Sequence, residues 1–262
     1  MSIPKVIHYC WFGGKPLPKP VKKCIKSWKK YCPDYKIIRW DESNFDISEN
    51  RYAAEAYQCK KWAFVSDYAR LKIICDQGGI YLDTDVELLR PLDDLLDFQG
   101  FLGFQDDNSV GTGLGFGAEA GQPMVRAMLD DYWDIPFLKE DGTRDMTPCP
   151  VRNTDSLLPF GLRADGTRQE VCGLQLFPQD YFCPMNFHTG DLNITSNTYS
   201  IHHFDASWVE DERFRHYKRA IRIKQHVPPV VYRALRFCYR RCRDVSGLVS
   251  SRLRRAGSNQ KE

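Results

Sequence analysis

Two aspartates, Asp83 and Asp85, stand one residue apart at the end of the apolar run Ile80-Tyr81-Leu82. Aspartate is a poor strand former. A strand alternates its side chains with period 2, so both carboxylates would emerge on one side. Like charges held together call for a cation between them. Paired carboxylates at a strand end suit a hard divalent ion such as Mn²⁺ or Mg²⁺, which takes oxygen ligands. In α/β sheets, ligands gather at the carboxyl ends of the strands. On spacing alone, a plain polar turn fits equally well.

Three further groups carry chemistry. Ser66, Asp67 and Arg70 lie within one helical turn, and Asp67 and Arg70, three apart, share a face. Their neighbours Phe64, Val65, Tyr68 and Leu71 draw that pair toward an apolar stripe, although an exposed ion pair of little worth is the ordinary alternative. The run Gly111-x-Gly113-x-Gly115-x-Gly117 does not fit a dinucleotide fingerprint, which needs GxGxxG directly after the first strand. It suits a backbone that comes close to a sugar or an acceptor, or a flexible loop. A DxD after an apolar strand also occurs in haloacid-dehalogenase-type phosphatases. These want Thr or Val two residues beyond the second Asp, where this chain has Glu87.

The elements that must position these residues alternate in type. Lys5 to Trp11 reads as a buried strand, Val21 to Tyr31 as a helix ended by Pro33, and Lys36 to Trp40 as a strand. Trp62 to Gln77 has the strongest helical periodicity and is stopped by Gly78-Gly79. Short strands are expected at Gly100–Phe104, Leu174–Phe177 and Tyr199–Phe204, and a helix at Pro123–Trp133. Residues 139 to 170 read as loop, with a short helix near Asp155 to Leu158. Strand and helix in alternation predict an α/β fold.

The 262 residues have an ordinary globular composition, 42% hydrophobic and 27% charged. No apolar run reaches the roughly 18 residues of a membrane helix, and the N-terminus has no signal-peptide pattern. Ten cysteines include no CxxC pair, which argues against a zinc ribbon and for reduced thiols in a cytoplasm. The net charge of +3 hides an asymmetry. Residues 213–262 hold fifteen Lys or Arg against Asp244 and Glu262, a net of +13, leaving 22 basic and 32 acidic residues in 1–212, a net of −10. The expected division is therefore a catalytic domain, 1–212, and a basic amphipathic helical tail, 213–262. The tail suits an anionic membrane surface. Nucleic acid is the rival partner, but no recognised nucleic-acid-binding motif accompanies the tail. A noncatalytic membrane scaffold remains the alternative in a different class, and it gives no reason for Asp67, Arg70, Asp83 and Asp85 to occur together.

The run AFVSDYARLKIICDQGGIYLDTDVELLRPL resembles the signature of glycosyltransferase family 32. IPKVIHYCWFGG is similar to the family's opening strand, and IHHFDASW to its closing motif. The three matches run in order from residue 3 to residue 208. The resemblance implies a GT-A fold with a mixed central sheet, and a retaining transfer of a hexose from a nucleotide sugar, UDP-linked, to a glycan or lipid-linked saccharide. Surface polysaccharide synthesis at the inner face of the cell membrane would be the setting. In that picture Asp85 binds Mn²⁺ or Mg²⁺ directly, and Asp83 contacts the donor or reaches the metal through water. Asp67 and Arg70 meet donor-sugar hydroxyls. Trp11 stacks on the base, with Phe12, Thr84, Ser207 and Trp208 completing the donor site. Adjacent strand residues face opposite ways, so one of His202 and His203 would face the metal. The family pattern favours His202. Asn153 or Asp155 would lie beneath the anomeric carbon.

Overall fold

The computed structural model describes residues 3–187, 189–204 and 231. Residues 3–204 belong to one unit of the chain, Met1–Trp208. The expected tail, 213–262, lies outside the described residues, apart from residue 231, as do Ser207 and Trp208.

The chain opens with β1 (Val6–Cys10), α1 (Lys19–Tyr31) and β2 (Lys36–Trp40), followed by α2 (Arg51–Gln58), α3 (Trp62–Gln77) and β3 (Gly79–Tyr81). After β4 (Val86–Leu88) come β5 (Gly100–Asp106), β6 (Ser109–Val110) and β7 (Phe116–Ala118). The rest is α4 (Pro123–Asp130), α5 (Cys149–Leu157), β8 (Gln169–Val171), β9 (Leu174–Phe177), α6 (Gln179–Phe182) and β10 (Ser200–His202). The main sheet runs β2-β1-β3-β7-β5-β9-β8, with β6 on β5. β2, β1 and β3 are parallel, β7 opposes its neighbours on both sides, β9 is parallel to β5, and β8 is antiparallel to β9. A separate antiparallel pair joins β10 to β4. The α/β expectation holds, and the sheet is mixed.

Strand alternation divides the apolar residues between two faces. Cys10, Tyr81, Leu102 and Phe104 join α2, α3, α4 and α5 on one face. Ile7, Tyr9, Ile80, Leu82 and Phe101 join α1 and α6 on the other. The rotation of α1 is fixed by Trp28, which is fully buried and donates its indole N–H to the Val86 carbonyl at 2.8 Å. A Trp28→Ala change would cost about 3–5 kcal/mol.

α1 starts two residues earlier than periodicity predicts, because Pro20 is tolerated in a first helical turn. α2 was absent from the sequence reading. It is short, buries only Tyr52, Ala53 and Ala56, and begins where the Asn50 side chain accepts the Ala53 N–H. That cap was its one legible signal. α3 is buried nearly all round and ends at Gly78, whose φ of 65° and N–H to the Ile74 carbonyl close the last turn. The eight described cysteines are free thiols.

Candidate functional site

β1 and β3 are parallel neighbours and end at one edge of the sheet. β3 stops at Tyr81, so the two aspartates sit in the turn leading into β4, which is closed by Val86 N–H donating to the Asp83 carbonyl at 3.0 Å. The expectation that strand alternation aligns Asp83 with Asp85 is thus corrected, since the turn brings their carboxylates together. β10, paired with β4 through His202 opposite Val86, brings in the imidazole. Asp83, Asp85 and His202 each offer one atom, and these atoms lie within 4.8 Å of one another. His202 Nε2 is 3.1 Å from Asp85 Oδ1.

Behind the aspartates lies a buried charge relay. Arg70 is 4% exposed and bonds Asp67 through Nη1 and Asp83 through Nη2, each at 3.0 Å. Tyr81 donates its hydroxyl to Asp83 Oδ1 at 3.0 Å and lies face-on to the guanidinium, 5.1 Å away. One cation shared by two carboxylates leaves excess negative charge at this point. Burial pushes Asp67 up to about 6, against the pull of Arg70. Burial also raises Asp83, with Arg70 opposing and Asp85 adding to the rise. Burial works against a charged His202, but Asp85 beside it prevails and the imidazole is raised.

A third layer holds Arg70 in place. Asn153 Oδ1 accepts the Thr112 N–H at 3.2 Å, the Thr112 hydroxyl at 3.0 Å and the Cys149 thiol at 3.3 Å. Arg70 Nη1 donates to Cys149 Sγ at 3.4 Å. Burial pushes this thiol up to about 12, which keeps it a neutral donor. The glycine run now has a concrete cause at one position. A Cβ on Gly113 would stand 2.6 Å from Asp83 Oδ2, so the backbone closes against the chain's own carboxylate. The glycine spacing alone suggests close approach to a sugar or an acceptor, or a flexible loop, and not this internal contact. Tyr81 and Cys149 were missed as well. Tyr81, two residues before Asp83, carried a signal in its spacing, and Cys149 carried none.

The remaining candidates divide. Trp11, half-buried beyond β1, donates its indole N–H to the Lys15 carbonyl at 2.6 Å. Thr84 sits half-buried at the tip of the aspartate turn. Asn153 is 1% exposed, and its Nδ2 has no partner among the described residues. Three expectations are corrected. Phe12 packs in the core, edge-on to Phe45 at 6.0 Å, and offers no face to a donor. Asp155 is exposed, and lies about 200° around α5 from Asn153. The residues 149–157 form that helix and not the polar loop first read there. His203 turns away to Glu87, its Nε2 2.9 Å from Oε2.

The donor set fits a hard divalent ion: two carboxylates and one imidazole whose Nδ1 is buried without a partner among the described residues. Residues 18–102, which include Asp67, Arg70, Asp83 and Asp85, match a family described as the glycosyltransferase sugar-binding region containing the DXD motif. The chain is similar to a mannosyl phosphorylinositol ceramide synthase of Saccharomyces cerevisiae, 29% identical over 146 residues, 52% of this chain and 38% of that protein. It is also 29% identical over 128 residues to inositol phosphoceramide mannosyltransferase 3 of Schizosaccharomyces pombe, covering 47% of this chain and 35% of the relative. The chain thus spans well under half the length of these two relatives. Among solved structures, the PaToxG glycosyltransferase aligns with a TM-score of 0.45 and 17% identity over 60% of this chain and 68% of its own.

Proposed function

We propose that the protein is a metal-dependent, retaining glycosyltransferase that moves a hexose from a nucleotide sugar to a glycan or lipid-linked saccharide. The observation that carries this reading is the meeting of Asp83, Asp85 and His202 at one point, with Arg70 locked behind Asp83. Asp85 and His202, with Asp83, would hold Mn²⁺ or Mg²⁺. When bound, the ion neutralises the diphosphate and makes it a better leaving group. Arg70 holds Asp83 in one orientation and, with Asp67, presents polar atoms to the donor sugar. Trp11, at the same sheet edge, offers an indole face for the nucleotide base. Asn153 keeps an amide N–H without a partner among the described residues, beside Thr112 and Cys149 and suited to a donor hydroxyl.

UDP-sugars are the first donors to try. GDP-mannose is the second, because the two yeast relatives are named for mannosyl transfer. The names of the same relatives support a phosphorylated lipid as acceptor. Catalysis is assigned to residues 1–212, and membrane attachment at the inner face to the basic segment 213–262. Surface polysaccharide synthesis is the proposed setting. Among the described residues no helix is long and apolar enough to cross a membrane.

The test is release of nucleoside diphosphate from a panel of UDP- and GDP-sugars, with Mn²⁺, with EDTA and with Asp85→Ala. Slow hydrolysis of one donor that needs both the ion and Asp85 is the expected result. Neither turnover nor nucleotide binding by the folded, Mn²⁺-supplemented protein would overturn the reading and favour the scaffold.

A further inference from the structure

α1 presents an unusual surface. Its thirteen residues include Lys19, Lys22, Lys23, Lys26, Lys29 and Lys30, all exposed, and no acidic residue. At 100° per residue, the six lysines fall within an arc of about 120°. The opposite side, Val21, Cys24 and Trp28, is buried. Two bonds fix this rotation: Trp28 to the Val86 carbonyl at 2.8 Å, and Leu88 N–H to Ser27 Oγ at 2.9 Å. The lysine stripe, about 17 Å long, therefore always faces outward.

Stability accounts for only two of the six: Lys29 and Lys30 sit in the last turn, where the helix dipole favours cations. Lysines three and four apart on a helix repel, and Lys19–Lys23, Lys22–Lys26 and Lys26–Lys30 are all such pairs. Lys19 and Lys22 also sit in the first turn, where the helix dipole favours acids, and the first turn has none. Of the six lysines, only Lys23 has an acidic partner among the described residues, Glu87 at 3.1 Å. The stripe also runs against the charge of its surroundings, since residues 1–212 carry a net of −10. The segment 213–262 is basic too, with a net of +13.

We infer that this face of α1 docks on an anionic lipid surface. The stripe is convex and made of lysine alone, with no arginine to grip a phosphate in two-point fashion and no exposed aromatic residue to stack on a base. Such a face suits a diffuse field of negative headgroups better than a nucleic acid. It has no large apolar side chain to insert, so its binding is electrostatic and screened by salt. α1 begins beyond β1, at the sheet edge that carries Asp83, and Lys23 reaches Glu87, two residues from Asp85. Docking here would hold the candidate site near the lipid plane. The inference stands independently of sugar transfer.

The test uses the full chain and the variant Lys22→Gln/Lys26→Gln/Lys29→Gln. Both are sedimented with phosphatidylcholine vesicles, with and without phosphatidylglycerol, at low and at physiological salt. Each lysine near such a surface strengthens binding about fivefold, so the triple variant should bind the anionic vesicles about a hundredfold more weakly. Its melting temperature should equal or exceed the parent's, as repulsion is relieved. Equal vesicle binding by the two proteins would overturn the inference. So would a variant that keeps vesicle binding while losing affinity for a single-stranded oligonucleotide, which would make nucleic acid the partner. A lower melting temperature would show that the lysines serve the fold, with the same consequence.

Discussion

Two imidazoles, one buried and one half-buried, show how this chain treats polar groups in its scaffold and in its candidate site. His8, on β1, is 1% exposed and closed on both sides: Nε2 donates to the Gly78 carbonyl at 3.1 Å, and Nδ1 accepts the Trp40 indole N–H at 3.0 Å. Burial lowers it to about 4, against the pull of the Gly78 bond. His202, on β10, faces a carboxylate with one nitrogen and no described partner with the other, and it is shifted upward. At His8 each ring nitrogen has its partner and the ring stays neutral. At the strand end, charges of one sign outnumber those of the other, and polar atoms are left over. A fold has no use for that surplus, whereas a bound cation and a hydroxylated ligand do.

The contrast breaks most sharply at Arg70. Arg70→Met removes the buried cation that buried Asp67 and half-buried Asp83 share, and it should cost about 3–5 kcal/mol in urea unfolding. Adding Asp67→Asn and Asp83→Asn to that variant should recover much of the loss, because the uncompensated charge is then gone. A loss below about 1 kcal/mol for Arg70→Met alone would mean that the pair behaves as a surface ion pair, against its burial.

Some of this was legible in the residues and some was not. Asp83, Asp85, Asp67 and Arg70 announce themselves through spacing against a strong apolar background. α3 announces itself through periodicity and its Gly78-Gly79 stop. What failed depended on tertiary partners. Phe12 and Trp11 are adjacent aromatics in the sequence, and only Phe45 across the core decides that Phe12 is interior. Asp155 and Asn153 look interchangeable until α5 forms and turns them to different sides. Thr112 and Cys149 have no local pattern at all, and they meet because β6 and α5 pack together. The family resemblance already favoured His202 over His203, and the β4–β10 pairing supplies the physical reason by turning His203 to Glu87.

His8 sharpens the scaffold half of the contrast through pH. Its folded pKa, about 4, lies below the usual imidazole value. The unfolded chain therefore binds the extra proton first, and stability falls as pH drops from about 6.5 toward 4. The contribution is fully present above pH 6.5. A shift of this size corresponds to about 3 kcal/mol lost by pH 4. Urea midpoints across this range should show the slope in the parent, and His8→Gln should be flatter by that amount. Equal slopes would remove His8 from the account.

Gly113 tests how tightly the site is held from behind. The added methyl of Gly113→Ala would stand 2.6 Å from Asp83 Oδ2 and 3.3 Å from Arg70 Nη1. Overpacking of this kind costs about 1–3 kcal/mol. The carboxylate must also shift, so Mn²⁺ affinity should fall with stability. Unchanged affinity in calorimetry would show that Asp83 takes no part in holding the ion.

The smallest expected effect on stability is the most telling for the site. Asp85 faces His202 but also crowds Asp83, whose carboxyl is raised by burial first and by Asp85 in addition. Asp85→Asn weakens the attraction to His202 and relieves the repulsion with Asp83, so the net change should stay within about 1 kcal/mol. Mn²⁺ binding, by contrast, should be lost. A scaffold residue cannot give that combination, because His8 and Trp28 lose stability whenever a partner is removed. If Asp85→Asn unfolds the protein as Arg70→Met should, the strand-end aspartates belong to the fold, and the surplus charge there needs no ligand to explain it.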